Sequence, residues 1–546
     1  MNQTGKITAR FTSSALTCAL IALAALVGMA LVVYATVYGP GIGGDATIYL
    51  TSAQNFLAGR GLGWIEADGS FRVLPYTPPF YPLVLSALGL FVKDLAAGAR
   101  WLNVLLFGAL VGITGWTFSR STGRPWLAGL LALAVAASPV LVGVTVWAMS
   151  EPLTLITGFA GLLLLLAYFN RPRPGYLYGS AILVGLSLLA RYIGVAFVLT
   201  AGLALLVFWL SERKKVNLLP WRELILYGLA SVLPMLVWIV VDLLLTGTLG
   251  SRSGQSAADY VSRLLEMCPA LEKIYLFWLL PESMIGRLPG VVRLFAWLLP
   301  LVVVMAAGVW VRSRLRAVTD SGLRPAARLA LLMAAFIVVY LVVLAVVQVF
   351  TYPPITLASR MLSPVHLAAL VLLFALGSLA ISLFPRVGRA TAVLVVAVYA
   401  VGLGMAGSYA LRGALIAREY HRTGIGYTSP VWQKSQVIEA VRSLPESTPL
   451  ISNDVTALMF LADRPAYTLQ EIFQTRPSVE FMPYGAGDDE SQRIFREERG
   501  ALVLFYASLE EDFSMYGDRT AERLSVLTQG LELYYQGEDG AIYFYR

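Results

Sequence analysis

Cysteine and histidine are almost absent: the chain of 546 residues has two of each. Cys18 and Cys268 fall in a hydrophobic run and a distant loop, so no disulfide framework is implied. With no His/Cys/acid cluster, a built-in zinc site is disfavoured. There is no Walker A sequence, no GxGxxG after a strand and no GxSxG, which argues against nucleotide-driven and serine-hydrolase chemistry. Charge is also scarce. Asp, Glu, Lys and Arg make up 14% of the chain, against about 25% in a soluble protein. Internal repeats and low-complexity segments are missing as well.

Apolar sequence fills the space, with 58% hydrophobic residues and a mean hydropathy of +0.71. These values describe a polytopic α-helical membrane protein. The net charge of +8 is unevenly spread. Residues 1–411 hold 28 of the 41 basic and 13 of the 33 acidic side chains, leaving 13 basic and 20 acidic in 412–546. The basic excess belongs to the apolar part and the tail is acidic, a balance that gives no reason to expect nucleic acid as a partner.

A bilayer is crossed by about 20 apolar residues. Candidate spans are then 14–37, 98–118, 125–146, 152–169, 176–190, 193–211, 222–245, 291–311, 328–350, 361–384 and 389–411. The first is too long for a signal-peptide core and reads as a retained helix. Lys6/Arg10, Arg120/Arg124, Arg171/Arg173, Arg213/Lys214/Lys215/Arg222, the arginines from Arg312 to Arg328 and Arg386/Arg389 all fall on one side, which the positive-inside tendency makes cytoplasmic. The other face receives a long first loop (38–97), the turn at Ser150-Glu151-Pro152, the loop at 246–290 and the tail from 412. Function is therefore expected outside a plasma (inner) membrane.

The tail reads as a small soluble α/β domain. In 431–444 Val437, Ile438, Val441 and Leu444 share one helical face. TPLISND, ALVLFY, LELYYQ and GAIYFYR read as strands.

Four charged residues on the outer side invite chemistry. Asp45 follows glycines and precedes ATIYLTSAQNFLA, an amphipathic helix with Ala46, Tyr49, Ala53, Phe56 and Leu57 near one stripe. Asp is a preferred N-cap, so capping and catalysis compete as readings. Ser150 can cap the span that follows it, Pro152 suits a first turn, and Glu151 suits the positive helix end. Arg191 sits inside an apolar stretch of over thirty residues, where it must reach an interface, a cavity or an anion. Arg360 opens a late span on the outer side. A guanidinium offers a phosphate two parallel hydrogen bonds, and both arginines are placed for one at the membrane boundary. The prolines of VLPYTPPFYPLVL fix the shape of the re-entering loop, with Tyr76, Pro78, Pro79 and Tyr81 expected to shape a pocket. His366 is expected to be a satisfied interhelical residue, and His421 to lie at the membrane surface.

The order of these motifs resembles the GT-C superfamily of membrane glycosyltransferases, in the branch of the bacterial protein O-mannosyltransferases and the lipid A aminoarabinose transferase. The matching features are GGDATIYLTSAQNFLAGRGL after the first span, then YTPPFYPLVL, MSEPL, LLARYIG and SRMLSP, with a soluble domain at the end. The resemblance implies a GT-C-like domain over 1–411 and an α/β domain over 412–546 outside the cytoplasm. It implies an inverting transfer of a sugar from a polyprenyl-phosphate donor to a glycan, lipid or protein acceptor, within surrounding membrane lipids. Asp45 matches the first-loop acid, the general base, and Glu151 the second-loop acid. Arg191, Tyr192 and Arg360 are expected at the donor's phosphate and lipid. No cofactor is required; a divalent metal is left open, with Asp45 and Glu151 its candidate ligands. Where several relatives carry two adjacent acids, this chain has Ser150-Glu151.

A transporter or flippase is the rival reading. It predicts buried mid-span charges at broken helices, and Asp242, near the outer end of its span, is the one carboxylate within an expected span apart from Glu223 at the cytoplasmic start of the same span. A degenerate relative whose membrane part only anchors an outer binding domain is a third, opposed by an intact Asp45.

Overall fold

The computed structural model describes residues 3–74, 77–212, 221–247, 260–293, 323–350, 357–383, 388–469, 483–487, 489–510 and 519–546. Its contacts divide into two compact units. One comprises Met1–Val37, Pro75–Tyr81 and Ala99–Arg422; the other comprises Tyr38–Leu74, Pro82–Gly98 and Thr423–Arg546.

The first unit is a bundle of apolar helices, and the chain is an integral membrane protein. Among the described residues eight helices are long and apolar enough to cross a bilayer. They include α1 (Gln3–Ala35), α4 (Leu95–Thr122), α7 (Glu151–Asn170), α9 (Val195–Glu212) and α10 (Trp221–Thr246), and the later helices Arg324–Phe350, Ser363–Leu383 and Arg389–Thr423. Another expected span is broken into α5 (Pro125–Ala136) and α6 (Pro139–Thr145), bent by 51°. Pro139 has no N–H with which to continue α5, and the Ser138 hydroxyl accepts from the Leu141 amide to start α6 afresh. The span expected at 176–190 is α8 (Pro174–Ala190), an apolar helix shorter than those eight. The one expected at 291–311 lies, beyond Arg293, outside the described residues, as do 351–356 and 248–259 of the 246–290 loop. The rest of that loop contains a helix, Tyr260–Leu279.

The last span runs past the expected boundary at 411 to Thr423. Arg412 is buried on it, and its guanidinium donates to the Phe277 and Trp278 carbonyls. Those carbonyls belong to the last turn of Tyr260–Leu279, where helical C=O groups lack partners and the dipole favours a cation. The same bundle buries His366, whose Nε2 lies 2.9 Å from the Ser138 hydroxyl and whose ring packs between Trp278 and Tyr409. His421 stacks on Tyr34 at 4.1 Å.

The second unit holds a five-stranded sheet. Strands β3 (Leu450–Ser452), β4 (Tyr467–Thr468), β5 (Ala501–Phe505), β6 (Glu532–Gln536) and β7 (Gly540–Phe544) are ordered β4-β3-β5-β7-β6. The β3–β4 and β3–β5 pairs are parallel, and β7 runs antiparallel to β5 and β6. Every residue of β5 is buried, so this central strand reads as a continuous apolar run. The expected helix at 431–444 is two pieces, Pro430–Gln433 and Gln436–Ser443, because Ser435 caps the second through the Ile438 amide. The anticipated face is buried: Val437, Ile438, Val441 and Leu444.

Much of the first loop belongs to this second unit. It contains α2 (Gly44–Leu57) and a hairpin of β1 (Gly63–Ile65) and β2 (Phe71–Val73). At the hairpin tip, hydrogen bonds from Ser70 hold the Asp68 carboxyl below the usual carboxylate range. The α2 stripe is shorter than expected. Ala46, Tyr49 and Ala53 are buried, but Phe56 and Leu57 are exposed. In that last turn Asn55 takes the inward position, donating to the Gly63 carbonyl at 2.7 Å and accepting from Arg60 Nε at 2.9 Å.

Candidate functional site

In the first unit the site is built around the turn that leads into α7. Glu151 is the first residue of α7, at the helix end whose unpaired N–H groups favour negative charge. Ser150 stands at the N-cap position, yet its side chain makes no capping hydrogen bond, against the sequence expectation. Its hydroxyl instead accepts from Arg191 Nη1 at 3.3 Å. The same Nη1 lies 3.0 Å from Glu151 Oε1. Both side chains are largely buried, at 7% exposure for Glu151 and 21% for Arg191. The contact is an ion pair without hydrogen-bond alignment, and both Glu151 oxygens are buried with no hydrogen-bond donor among the described residues.

Arg191 is not in the middle of a continuous helix. Helix α8 stops at Ala190, Arg191 is extended (φ −152°, ψ 140°), and a single turn of 3₁₀ helix follows at Tyr192–Gly194. The reversal needs Gly194, because a Cβ there would sit 2.2 Å from the Ser187 carbonyl oxygen. The break turns the arginine side chain toward the Glu151 turn and spares it a long reach along an apolar helix. Tyr192, in the 3₁₀ turn, is 44% exposed.

Arg360 lies in the turn before the helix Ser363–Leu383 and is exposed. Its Nη1 is 3.0 Å from the Met149 sulfur, two residues before Glu151. The Tyr340 hydroxyl donates to the Met361 carbonyl and is close enough to interact electrostatically with both Arg191 and Glu151. Asn103, on α4, donates through Nδ2 to the Thr145 and Trp147 carbonyls at 3.0 and 2.6 Å. It thereby fixes the strip between α6 and Glu151. Sequence reasoning missed Asn103, Met149 and Tyr340; a lone Asn in an apolar helix was the one signal on offer.

Pro78 and Pro79 are buried and Tyr81 is fully buried at the start of α3 (Phe80–Gly89). Tyr76 lies outside the described residues.

Asp45 belongs to the second unit. The N-cap of α2 is Gly43, and Asp45 is the second residue of the helix, half-buried in its first turn. The capping reading is thus corrected: Gly43, one residue before the helix, takes the cap because its φ of −151° and ψ of −163° bring the chain in extended. No three His, Cys, Asp or Glu side chains come together among the described residues to hold a metal ion. Neither Asp45 nor Glu151 has a described pair of co-ligands.

The whole chain compares with solved membrane-protein structures. ArnT from Cupriavidus metallidurans bound to undecaprenyl phosphate matches with a TM-score of 0.50 at 14% identity, covering 95% of this chain and 97% of that one. Its apo form matches with a TM-score of 0.51 at the same identity and coverage. This chain has a GT-C-like fold. At 14% identity the likeness concerns the fold, and it extends over the tail as well as the helices. No protein-family model matches the sequence, and comparison with curated protein sequences gives no match.

Proposed function

We propose that this protein is an inverting glycosyltransferase that takes its sugar from a polyprenyl-phosphate donor and delivers it to a glycan, lipid or protein acceptor on the non-cytoplasmic side of the membrane. The observation that carries the reading is the cationic, acid-bearing turn of Glu151, Arg191 and Arg360, held in a fold shared with a protein solved with undecaprenyl phosphate.

In this reading Asp45 is the general base. It takes the proton of the acceptor hydroxyl or amine as that atom attacks the anomeric carbon, and the bond from that carbon to the phosphate oxygen breaks. A positioned base contributes about 10²–10⁴-fold. The departing phosphate keeps the electron pair and needs no proton, only cations against its growing charge. Arg360, exposed beside Met149, and Arg191, steadied by Glu151 and Ser150, fill that role. Tyr192 borders the lipid, and Pro78, Pro79 and Tyr81 stiffen the loop. Displacement from one side inverts the sugar.

Replacing Asp45 by Asn tests the base. Asn retains the shape and hydrogen-bonding size of Asp but accepts no proton. The variant should fold, bind donor and lose transfer by at least about 10²-fold; wild-type turnover in Asp45→Asn would refute the assignment.

A further inference from the structure

The helix that carries Asp45 is held by residues from the far end of the chain. Just ahead of α2, the backbone of Ile42 forms a parallel bridge with Gly426. The Tyr427 amide donates to the Ile42 carbonyl at 2.8 Å, and the Thr428 hydroxyl lies 2.8 Å from the Pro40 carbonyl. Ile42, Ile425, Tyr427 and Thr428 are all buried. Gly426 is the one residue type that fits: its φ is +58°, and a Cβ there would lie 2.1 Å from the Ile42 oxygen.

A second set of bonds locks this strip to the tail. The Tyr427 hydroxyl donates to Asp454 Oδ1 at 2.6 Å and lies 2.8 Å from the Thr456 hydroxyl. Asp454 also accepts from the Ala457 amide at 3.0 Å and, through Oδ2, from Ser508 at 2.6 Å. Its carboxylate is therefore spent on fixing the strip and is not a second reactive acid. Thr456 in turn faces Gly44, whose added Cβ would lie 3.9 Å from the Thr456 hydroxyl oxygen. Gly44 is the neighbour of Asp45. The chain is thus bonded just before α2 begins and faced by Thr456 at its first residue.

We propose that residues 425–428, braced by Asp454 and Thr456, are a positioning clamp that sets the first turn of α2 and with it the Asp45 carboxylate. The soluble tail then contributes to the transfer reaction through geometry, as a part of the machinery that aims the base. This inference rests on Asp45 as general base. An error of 1 Å in placing a reacting group costs about 10²-fold in rate, so a clamp made of a few backbone bonds suffices to matter.

The test uses the full-length protein in detergent or nanodiscs. Thr428→Val removes the hydroxyl at constant shape, Gly426→Ala attacks the close approach, and Glu439→Ala, on an exposed tail position, is the control. Hydrogen exchange of the peptide covering 40–48 and steady-state transfer are read together. The clamp predicts exchange about tenfold faster in 40–48, with kcat lowered about 10-fold or more and the KM for donor unchanged. If Gly426→Ala does not fold, Thr428→Val decides alone. Unchanged exchange in Thr428→Val overturns the clamp. Faster exchange with wild-type kcat, when Asp45→Asn is inactive, overturns its role in aiming the base. An active Asp45→Asn would instead bring down the base assignment, and the exchange result alone would then judge the clamp.

Discussion

Arg191 Nη1 lies 3.0 Å from Glu151 Oε1, in a contact that joins a break between two helices to the first residue of another. Taking two charges out of water is costly, and their attraction offsets that cost only while both are present. The pair is also incomplete, since among the described residues neither buried Glu151 oxygen has a hydrogen-bond donor. A buried acceptor left so costs about 1–3 kcal/mol. Under the proposed function, that unmet demand would be met by a hydroxyl of the sugar.

The pair predicts non-additive mutants. Arg191→Met leaves Glu151 buried and uncompensated and should cost about 3–5 kcal/mol of stability. Adding Glu151→Gln should return most of that loss while leaving transfer abolished. Thermal unfolding and turnover of the two single variants and the double variant check both parts. A fully stable Arg191→Met would show that the ion pair holds nothing in place.

Arg360 should behave differently, because it is exposed, and Met149, one of its contacts, is a neutral thioether. Arg360→Ala is expected to leave the melting temperature nearly unchanged. Donor affinity should fall about tenfold or more, as expected when one charge-assisted hydrogen bond to phosphate is lost. Arg360→Lys should recover part of it, since a point charge replaces the fork. Titration with polyprenyl phosphate reads the effect, and an unchanged affinity would remove Arg360 from the phosphate site.

The outline of the bundle was legible because it depends on long charge-free runs, and the tail strands because β5 and β7 are short apolar runs between turns. The break at Arg191 was legible as the gap between the spans expected at 176–190 and 193–211, but how tightly the chain turns there was not, since that depends on the Gly194 contact with Ser187. Nor could sequence pair Arg191 with Glu151, forty residues away, or Gly426 with Ile42. The Asp45 helix was found, and of the two competing readings of Asp45 the cap fell away: Gly43 holds that position but offers no side-chain signal, whereas Asp is a strong one. The β1–β2 hairpin escaped because three-residue strands carry too little alternation.

Asn103 makes a prediction about support. Its amide nitrogen holds two carbonyls of the strip leading to Glu151, and the residue is buried. Asn103→Leu would take this donor from the Thr145 carbonyl, while the Trp147 carbonyl keeps the Met149 amide at 2.8 Å, a loss of about 1–3 kcal/mol for one buried acceptor. Thermal unfolding should show that loss, and transfer should fall with donor KM little altered. Stability equal to wild type would mean that water takes over the bond to Thr145.

The sharpest test of the Arg191 turn is a single methyl group. Gly194 lets the 3₁₀ turn fold back on α8, and a Cβ there would lie 2.2 Å from the Ser187 carbonyl oxygen and 2.6 Å from the Leu188 nitrogen. Both obstacles are backbone, so no side chain can step aside. Gly194→Ala must therefore shift the turn, at a cost of about 1–3 kcal/mol for overpacking. The shift carries Arg191 with it and lengthens its 3.0 Å contact with Glu151. Transfer should fall more steeply than stability, and Gly202→Ala, with no atom near its added Cβ, should leave both unchanged. If Gly194→Ala kept wild-type transfer, the placement of Arg191 by this turn would be irrelevant to the reaction, and the guanidinium's role would have to be sought elsewhere.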